Sequence, residues 1–318
     1  MSRVSPPAPI DFSGRVIIIG CGSIGQGILP LIRKHISLEG ERQLVVLSAD
    51  EQGRKLAEKC GAHFEHAHFT PKNHRQILKR HAKPGDLVLN LSVNVSSLDL
   101  IRYCADKGIL YVDTSIEPWP GVYANPMLDM RSRTNFLIRE KALQLSKELG
   151  PNAPTAVVDH GANPGLVSHF VKRALLDLDR TLRKGHARPT SREEWAMLAR
   201  DLGVTVIQIA ERDTQVSDVA KRHGEFVNTW SIEGFVDELM QPCEVSIGVH
   251  ELKLPRRGRQ HRRGSGTLYL PRPGCGTFAR SWTPSVGGYQ GMLISHDEVF
   301  SIADFLSLRE GGRFTYRP

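Results

Sequence analysis

Residues 16–27 read Val-Ile-Ile-Ile-Gly-Cys-Gly-Ser-Ile-Gly-Gln-Gly, with three glycines at the spacing Gly20-x-Gly22-x-x-Gly25. No other feature constrains the fold of this chain as strongly. A first glycine lets a strand turn sharply into a helix, a second leaves room for a pyrophosphate, and a third lets helix and strand pack closely. The backbone N–H groups that open the helix then face the negative charge. Glycine triplets also arise in ordinary loops, so context decides. Here a β-branched run precedes the triplet and a helix-like segment, Ile24–His35, follows it, which is the setting the motif requires. Gly20, Gly22, Ser23, Ile24 and Gly25 are therefore the expected dinucleotide cradle.

The segments that follow keep the same rhythm. Gln43–Ser48 reads as a second strand, closing a βαβ unit. Asp50 and Glu51 come next, where an acid would hold an adenosine ribose; Asp50 could equally cap a helix over Glu51–Cys60. No arginine stands directly after the strand, which favours NAD over NADP. Residues 75–81 read as helix, Asp86–Leu91 as strand, Ser97–Lys107 as helix, Ile109–Asp113 as strand, 134–149 as helix and Thr155–Asp159 as strand. Such alternation predicts an α/β fold with a doubly wound parallel sheet, the Rossmann architecture. Ligands of such sheets lie beyond the C-terminal strand ends. Asn90, Ser92, Asp113 and Thr114 are thus expected at the cofactor edge.

After Leu166–Leu178, a helix, the rhythm is lost. Val204–Glu211, Cys243–His250 and Thr267–Leu270 read as short strands and Ser301–Arg309 as a last helix, with no terminal element after it. We expect a dinucleotide-binding domain over residues 1–165 and a mixed α+β substrate-binding or dimerisation domain over 166–318.

Composition narrows the function. At 318 residues, 40% of them hydrophobic, the chain can bury a sizeable core. It has no apolar run of about 20 residues for a membrane span and no signal-peptide core. Residues 1–10 read as a disordered lead-in. Its five cysteines are scattered, which points to a reduced, cytoplasmic setting without disulfides or zinc. The net charge is +8, and Arg256–Arg263 alone holds five arginines. That run reads as a solvated loop or an anion patch, and no nucleic-acid module accompanies it. None of the histidines shows metal-ligand spacing.

Four motifs, Gly20–Gly27, Asp113-Thr-Ser-Ile-Glu-Pro-Trp119, His160-Gly-Ala-Asn-Pro-Gly165 and Ile294-Ser-His-Asp-Glu298, together resemble the bacterial homospermidine synthase family, within the saccharopine dehydrogenase-like group. The resemblance runs along nearly the whole chain. It implies a recycled NAD, putrescine or a related diamine as substrate, and a homodimer. The implied reaction oxidises one amine-bearing carbon to an imine, exchanges ammonia for a second amine, and reduces the new imine. Members of the family extend past the point where this chain stops, so the resemblance implies a C-terminally shortened form. Two alternatives are a dehydrogenase with net redox turnover and an inactive NAD-binding remnant.

Such chemistry calls for carboxylates that hold ammonium groups and an aromatic face for a cation. A basic chain binding a diamine also needs a local acidic pocket. Glu117, at a strand's C-terminal end, is either a site acid or a surface turn residue. The resemblance assigns substrate roles to Glu211, Trp230 and Glu238. Asn163 either binds the diamine or holds its loop. His296 either relays protons or caps the following helix, and His160 is the other histidine expected near the site.

Overall fold

The computed structural model describes residues 8–318 except 41, 124, 184, 186 and 263. Most of the expected lead-in, and Arg263 of the arginine run, lie outside the described residues. The chain divides into two compact units. The first comprises the described residues up to Pro120 with Lys141–His160 and Lys221–Phe235; the second comprises Gly121–Glu140, Gly161–Ala220 and Val236–Pro318. The chain thus passes between them several times.

The first unit is built on a six-stranded, all-parallel sheet. Its strands are β1 (Val16–Ile19), β2 (Leu44–Ser48), β3 (His63–His66), β4 (Leu87–Asn90), β5 (Leu110–Asp113) and β6 (Ala156–Val157). They lie in the order β3-β2-β1-β4-β5-β6, so the direction of winding reverses between β1 and β4. That reversal opens the crevice where a dinucleotide binds in doubly wound sheets.

Side-chain alternation explains why both faces are covered. Val16, Ile18, Leu44 and Val46 pack under α1 (Ser23–His35) and α2 (Arg54–Lys59). Ile17, Ile19, Val45 and Leu47 face α3 (His74–His81), α4 (Ser97–Lys107) and Leu145 of α5 (Asn135–Leu149). Ile17, Ile18 and Ile19 are at most 1% exposed, and burial of each stabilises by about 1.5–3 kcal/mol. α4 is closed at both ends by its own sequence: Ser96 Oγ accepts from the Asp99 N–H, and Gly108 ends the helix with φ of 69°. The polar edge strand β3 was not anticipated, because His63-Phe-Glu-His66 has only one apolar residue to signal it.

The second unit contains α6 (Leu166–Arg183), α7 (Arg192–Asp201), α8 (Ile232–Met240, entering from the first unit) and α9 (Glu298–Phe305). Leu175, Trp195, Leu198, Ile302, Leu306 and Tyr316 form its apolar cluster. An antiparallel sheet joins β7 (Pro242–Ser246), β8 (Arg259–Gln260) and β9 (Thr267–Pro273). Two hairpins complete it: β10 (Phe278–Thr283) with β11 (Gly287–Met292), and β12 (Leu308–Glu310) with β13 (Arg313–Tyr316).

Three expectations are corrected here. Residues 204–211 form no strand. Val204 and Ile207 pack on the apolar cluster, and the Val204 carbonyl accepts from the Tyr316 hydroxyl at 2.7 Å, so side-chain contacts hold the segment without a ladder. The last helix is α9, ending at Phe305, and the tail after it is a hairpin rather than a bare end. Its turn residues, Gly311 and Gly312, have φ of 54° and 79°, a two-glycine turn that alternation on either side could have revealed. The arginine run is not wholly solvated: Arg256, Arg257, Arg259 and Arg262 are exposed, but His261 is buried. It stacks on Phe136 at 4.3 Å and meets Glu244 at 2.7 Å. Glu244 in turn accepts from the N–H groups of Asn135 and Phe136 at the start of α5.

Candidate functional site

In the first unit the three glycines have three separate reasons to be glycine. Gly20 has φ of 92°, and a Cβ there would lie 3.0 Å from the Leu91 carbonyl oxygen. A Cβ on Gly25 would lie 2.5 Å from the Gly20 oxygen, so α1 approaches the turn only because Gly25 has none. A Cβ on Gly22 would meet nothing within 4 Å. Its constraint is therefore not the protein's own packing. Gly22 is the N-cap of α1 and makes no side-chain cap bond, so the helix opens beside the open space at Gly22 with no cap side chain in the way. This is what a pyrophosphate needs, and the residues fit a dinucleotide.

Asp50 follows β2 and is exposed. Its Oδ1 accepts from the Gln52 N–H at 2.9 Å. Gly53, which sequence reading passed over, packs directly on the glycine turn: a Cβ there would lie 2.2 Å from Cys21 Sγ. That contact seats residues 50–54 against the phosphate turn. Burial first, and then the Asp50 charge, push the Cys21 thiol up.

The other strand ends form a buried hydrogen-bond chain. Asn90 Oδ1 accepts from Ser92 Oγ at 2.6 Å, and its amide donates to Val95 O and the Tyr111 hydroxyl oxygen. Tyr111 donates to Asp113 Oδ2 at 2.9 Å. Asp113 Oδ1 accepts from the Asp159 N–H, and Asp159 Oδ1 from the Ile116 N–H, both at 2.8 Å. Asn90 is 2% and Asp113 0% exposed. Both therefore lie beneath the strand-end loops and shape the edge from behind, whereas Ser92 and Thr114 are partly accessible. Burial, and then the Asp159 charge, raise the Asp113 carboxyl to about 7.

Glu117 is half-buried. Its N–H donates to Ser97 Oγ at 3.0 Å, and its carbonyl accepts from the Ser97 N–H. Trp119 fastens the same loop to α4 by donating to Asp99 Oδ2 at 2.5 Å. Trp230, also in the first unit, is half-buried and edge-on to Phe235 at 6.0 Å. A Cβ on Gly234 would lie 2.7 Å from its ring, so a glycine is what lets the indole settle there.

The second unit gathers the other four candidates. The loop 161–165 closes on itself, with the Gly161 N–H donating to Pro164 O at 2.7 Å. Its last glycine is tied to the start of α9 by the Gly165 N–H donating to Glu298 Oε1 at 2.8 Å. Asn163 is thereby held out between two partners: its amide donates to Glu211 Oε2 at 2.9 Å, and its Oδ1 meets His296 Nδ1 at 2.7 Å. The other ring nitrogen of His296 lies 3.4 Å from Glu238 Oε2. Burial opposes charge on His296. The Glu238 bond and the charges of Glu238, Glu298 and Glu211 outweigh it and raise the pKa above its ordinary value. Of these three acids, Glu238 meets the ring directly and Glu211 reaches it through Asn163. Carboxyl groups thus outnumber the imidazole in this cluster, within a chain of net charge +8.

Residues 16–157 match the family described as the saccharopine dehydrogenase NADP binding domain, and residues 161–317 match the saccharopine dehydrogenase C-terminal domain. Homospermidine synthase of Blastochloris viridis is 46% identical over 96% of this chain and 65% of its own length. The Mesorhizobium japonicum homospermidine synthase is 41% identical over 100% of this chain and 67% of its own length. The chain belongs to the homospermidine synthase family. Among solved structures, the Legionella pneumophila homospermidine synthase in complex with NAD superposes with a TM-score of 0.85 at 37% identity, covering 98% of this chain and 65% of that one. This chain thus spans about two thirds of the length of the family members it matches. No helix of its described residues is long and apolar enough to cross a membrane.

Within this homospermidine synthase fold, sequence reasoning missed Glu298, Gly53 and Gly234. Glu298 stood inside a quoted motif, but its role depends on Gly165, 133 residues away. Its Oε1 holds the Asn163 loop, while its buried Oε2 has no hydrogen-bond partner. Neither glycine carries a sequence signal, since each is needed for a neighbour's approach.

Proposed function

We propose that this chain carries the NAD-dependent, redox-neutral conversion of two putrescines to homospermidine and ammonia. The observation that carries the reading is the Glu211–Asn163–His296–Glu238 cluster, an acidic, hydrogen-bonded site in a basic chain. The family model is described as binding NADP and the solved relative holds NAD. Asp50 at the end of β2 favours NAD here, because a carboxylate accepts from ribose hydroxyls and repels a 2′-phosphate.

When bound, NAD supplies reversible oxidation of an amine-bearing carbon, so that no net redox change remains. The chain's own residues do the rest. The opening N–H groups of α1, with Gly20, Gly22 and Gly25, bind the pyrophosphate. Glu211 and Glu238 accept hydrogen bonds from the ammonium groups of the diamine and orient it. Asn163 keeps Glu211 in place, and His296 at Nε2 holds or releases a proton toward Glu238. Glu117 acts as a further carboxylate, and Trp230 offers a ring face to a cationic centre. The reading includes the division into a dinucleotide domain over 1–165 and a substrate domain after it, a homodimer, and a cytoplasmic setting.

The test is direct. Purified chain is incubated with putrescine and NAD, homospermidine and ammonia are followed by mass spectrometry, and NADH by absorbance. Homospermidine without net NADH is the expected result. Stoichiometric NADH would instead establish a dehydrogenase, and NAD binding without either product a cofactor-binding remnant.

A further inference from the structure

The segment seated against the phosphate turn holds both signs of charge. Asp50 and Glu51 are exposed there, and Arg54 opens α2 three residues beyond Glu51. In dinucleotide folds, an acid at this place recognises the ribose hydroxyls of NAD, and an arginine nearby accommodates the 2′-phosphate of NADP. Both residue types are present, so selectivity depends on which is available.

The geometry answers this. Arg54 Nε donates to Glu51 Oε2, and Nη2 donates to Glu51 Oε1 at 3.0 Å, a bidentate pair. Nη1 reaches Glu58 Oε1 at 3.4 Å. One face of the guanidinium covers the Phe64 ring, 4.4 Å from its centroid. Two carboxylates and an aromatic ring thus occupy its edge and its face. The bond from Arg54 also holds the Glu51 carboxyl below its ordinary range, so Glu51 keeps both its grip and its negative charge across neutral pH.

We propose that Glu51 is a cofactor-specificity residue: by engaging Arg54 it withholds from a 2′-phosphate the guanidinium that would bind it. The inference rests on the dinucleotide reading above and goes beyond it, since it places selectivity in the Glu51–Arg54 ion pair as well as in Asp50. The pair is open to solvent, so the lock is modest. Its release is expected to change relative affinity by about tenfold rather than a thousandfold.

The test measures Kd for NAD and for NADP by isothermal titration calorimetry. It compares the wild type, Glu51→Gln, and Glu51→Gln combined with Arg54→Ala. Glu51→Gln should tighten NADP about tenfold relative to NAD, and adding Arg54→Ala should abolish that gain. An unchanged NADP-to-NAD ratio in Glu51→Gln overturns the proposal. So does a gain that survives loss of Arg54, because repulsion by Glu51 alone would then explain it. A wild type that binds neither dinucleotide would instead sink the cofactor reading, and this inference with it.

Discussion

His296 Nδ1 lies 2.7 Å from Asn163 Oδ1, and the protonation of that nitrogen follows from a third group. A carboxylate only accepts, so the Asn163 amide must face Glu211, which leaves its oxygen toward His296. Nδ1 therefore carries the proton in either charge state, and titration occurs at Nε2, facing Glu238. The folded pKa is raised. Stability from this charge is complete below about pH 6.5, the ordinary histidine value, and is lost as pH rises through the raised value. The unfolding free-energy difference between wild type and His296→Gln should fall from pH 6 to pH 9 in denaturant titrations. A flat difference would show that the cluster does not hold the imidazolium.

Glu211→Gln and Glu238→Gln should each raise the putrescine KM about 10- to 100-fold, since charge-assisted hydrogen bonds contribute about 1.5–3 kcal/mol. NAD affinity should stay within about twofold, measured by calorimetry. Steady-state kinetics with equal loss of NAD binding would remove these residues from substrate recognition.

Gly22→Ala and Gly25→Ala separate cofactor from fold. Nothing in the protein lies within 4 Å of a Cβ at 22, whereas one at 25 would meet the Gly20 oxygen at 2.5 Å. Gly22→Ala should keep the wild-type melting temperature yet weaken NAD more than tenfold. Gly25→Ala should lower the melting temperature itself. If Gly22→Ala bound NAD normally, the open space at Gly22 would not be the pyrophosphate cradle.

Trp230→Ala should reduce turnover far more than NAD binding. Gly234→Ala, whose Cβ would lie 2.7 Å from the indole, should mimic it in part and shift the tryptophan emission. A Gly234→Ala protein with wild-type fluorescence and turnover would show that the ring's placement is unimportant.

Asp113 gives a second pH effect. Its carboxyl is raised to about 7, by burial first and then by the Asp159 charge. The unfolded chain loses that proton near pH 4, so this group's contribution to stability falls between about pH 4 and pH 7. Asp113→Asn keeps an acceptor for the Asp159 N–H and should flatten the slope of stability over that window. An identical slope in the variant would place the titration elsewhere.

The first unit was legible because its signals are local. A buried four-residue run, three glycines and the alternation of strand and helix each report their own backbone conformation. Short-range signals were also available, and passed over, for the Gly311-Gly312 hairpin and for α7. There Ser191 and Glu194 cap reciprocally. Val204–Glu211 misled for a physical reason. Apolar alternation reports a surface to pack against, not a neighbouring strand to bond, and here the surface exists without the ladder.

By itself, then, the sequence determined the glycine turn, the winding of the sheet and the residue types of the site, because these depend on neighbours within a few positions. Only the tertiary structure decided which acids meet which donors. Glu211 reaches Asn163 across 48 residues and His296 reaches it across 133. Gly53 serves a cysteine 32 positions earlier. Even Arg54, close in sequence to its partner, is restrained by a ring on the next strand. Such contacts are set by where the folded chain brings side chains, and no period or spacing records that.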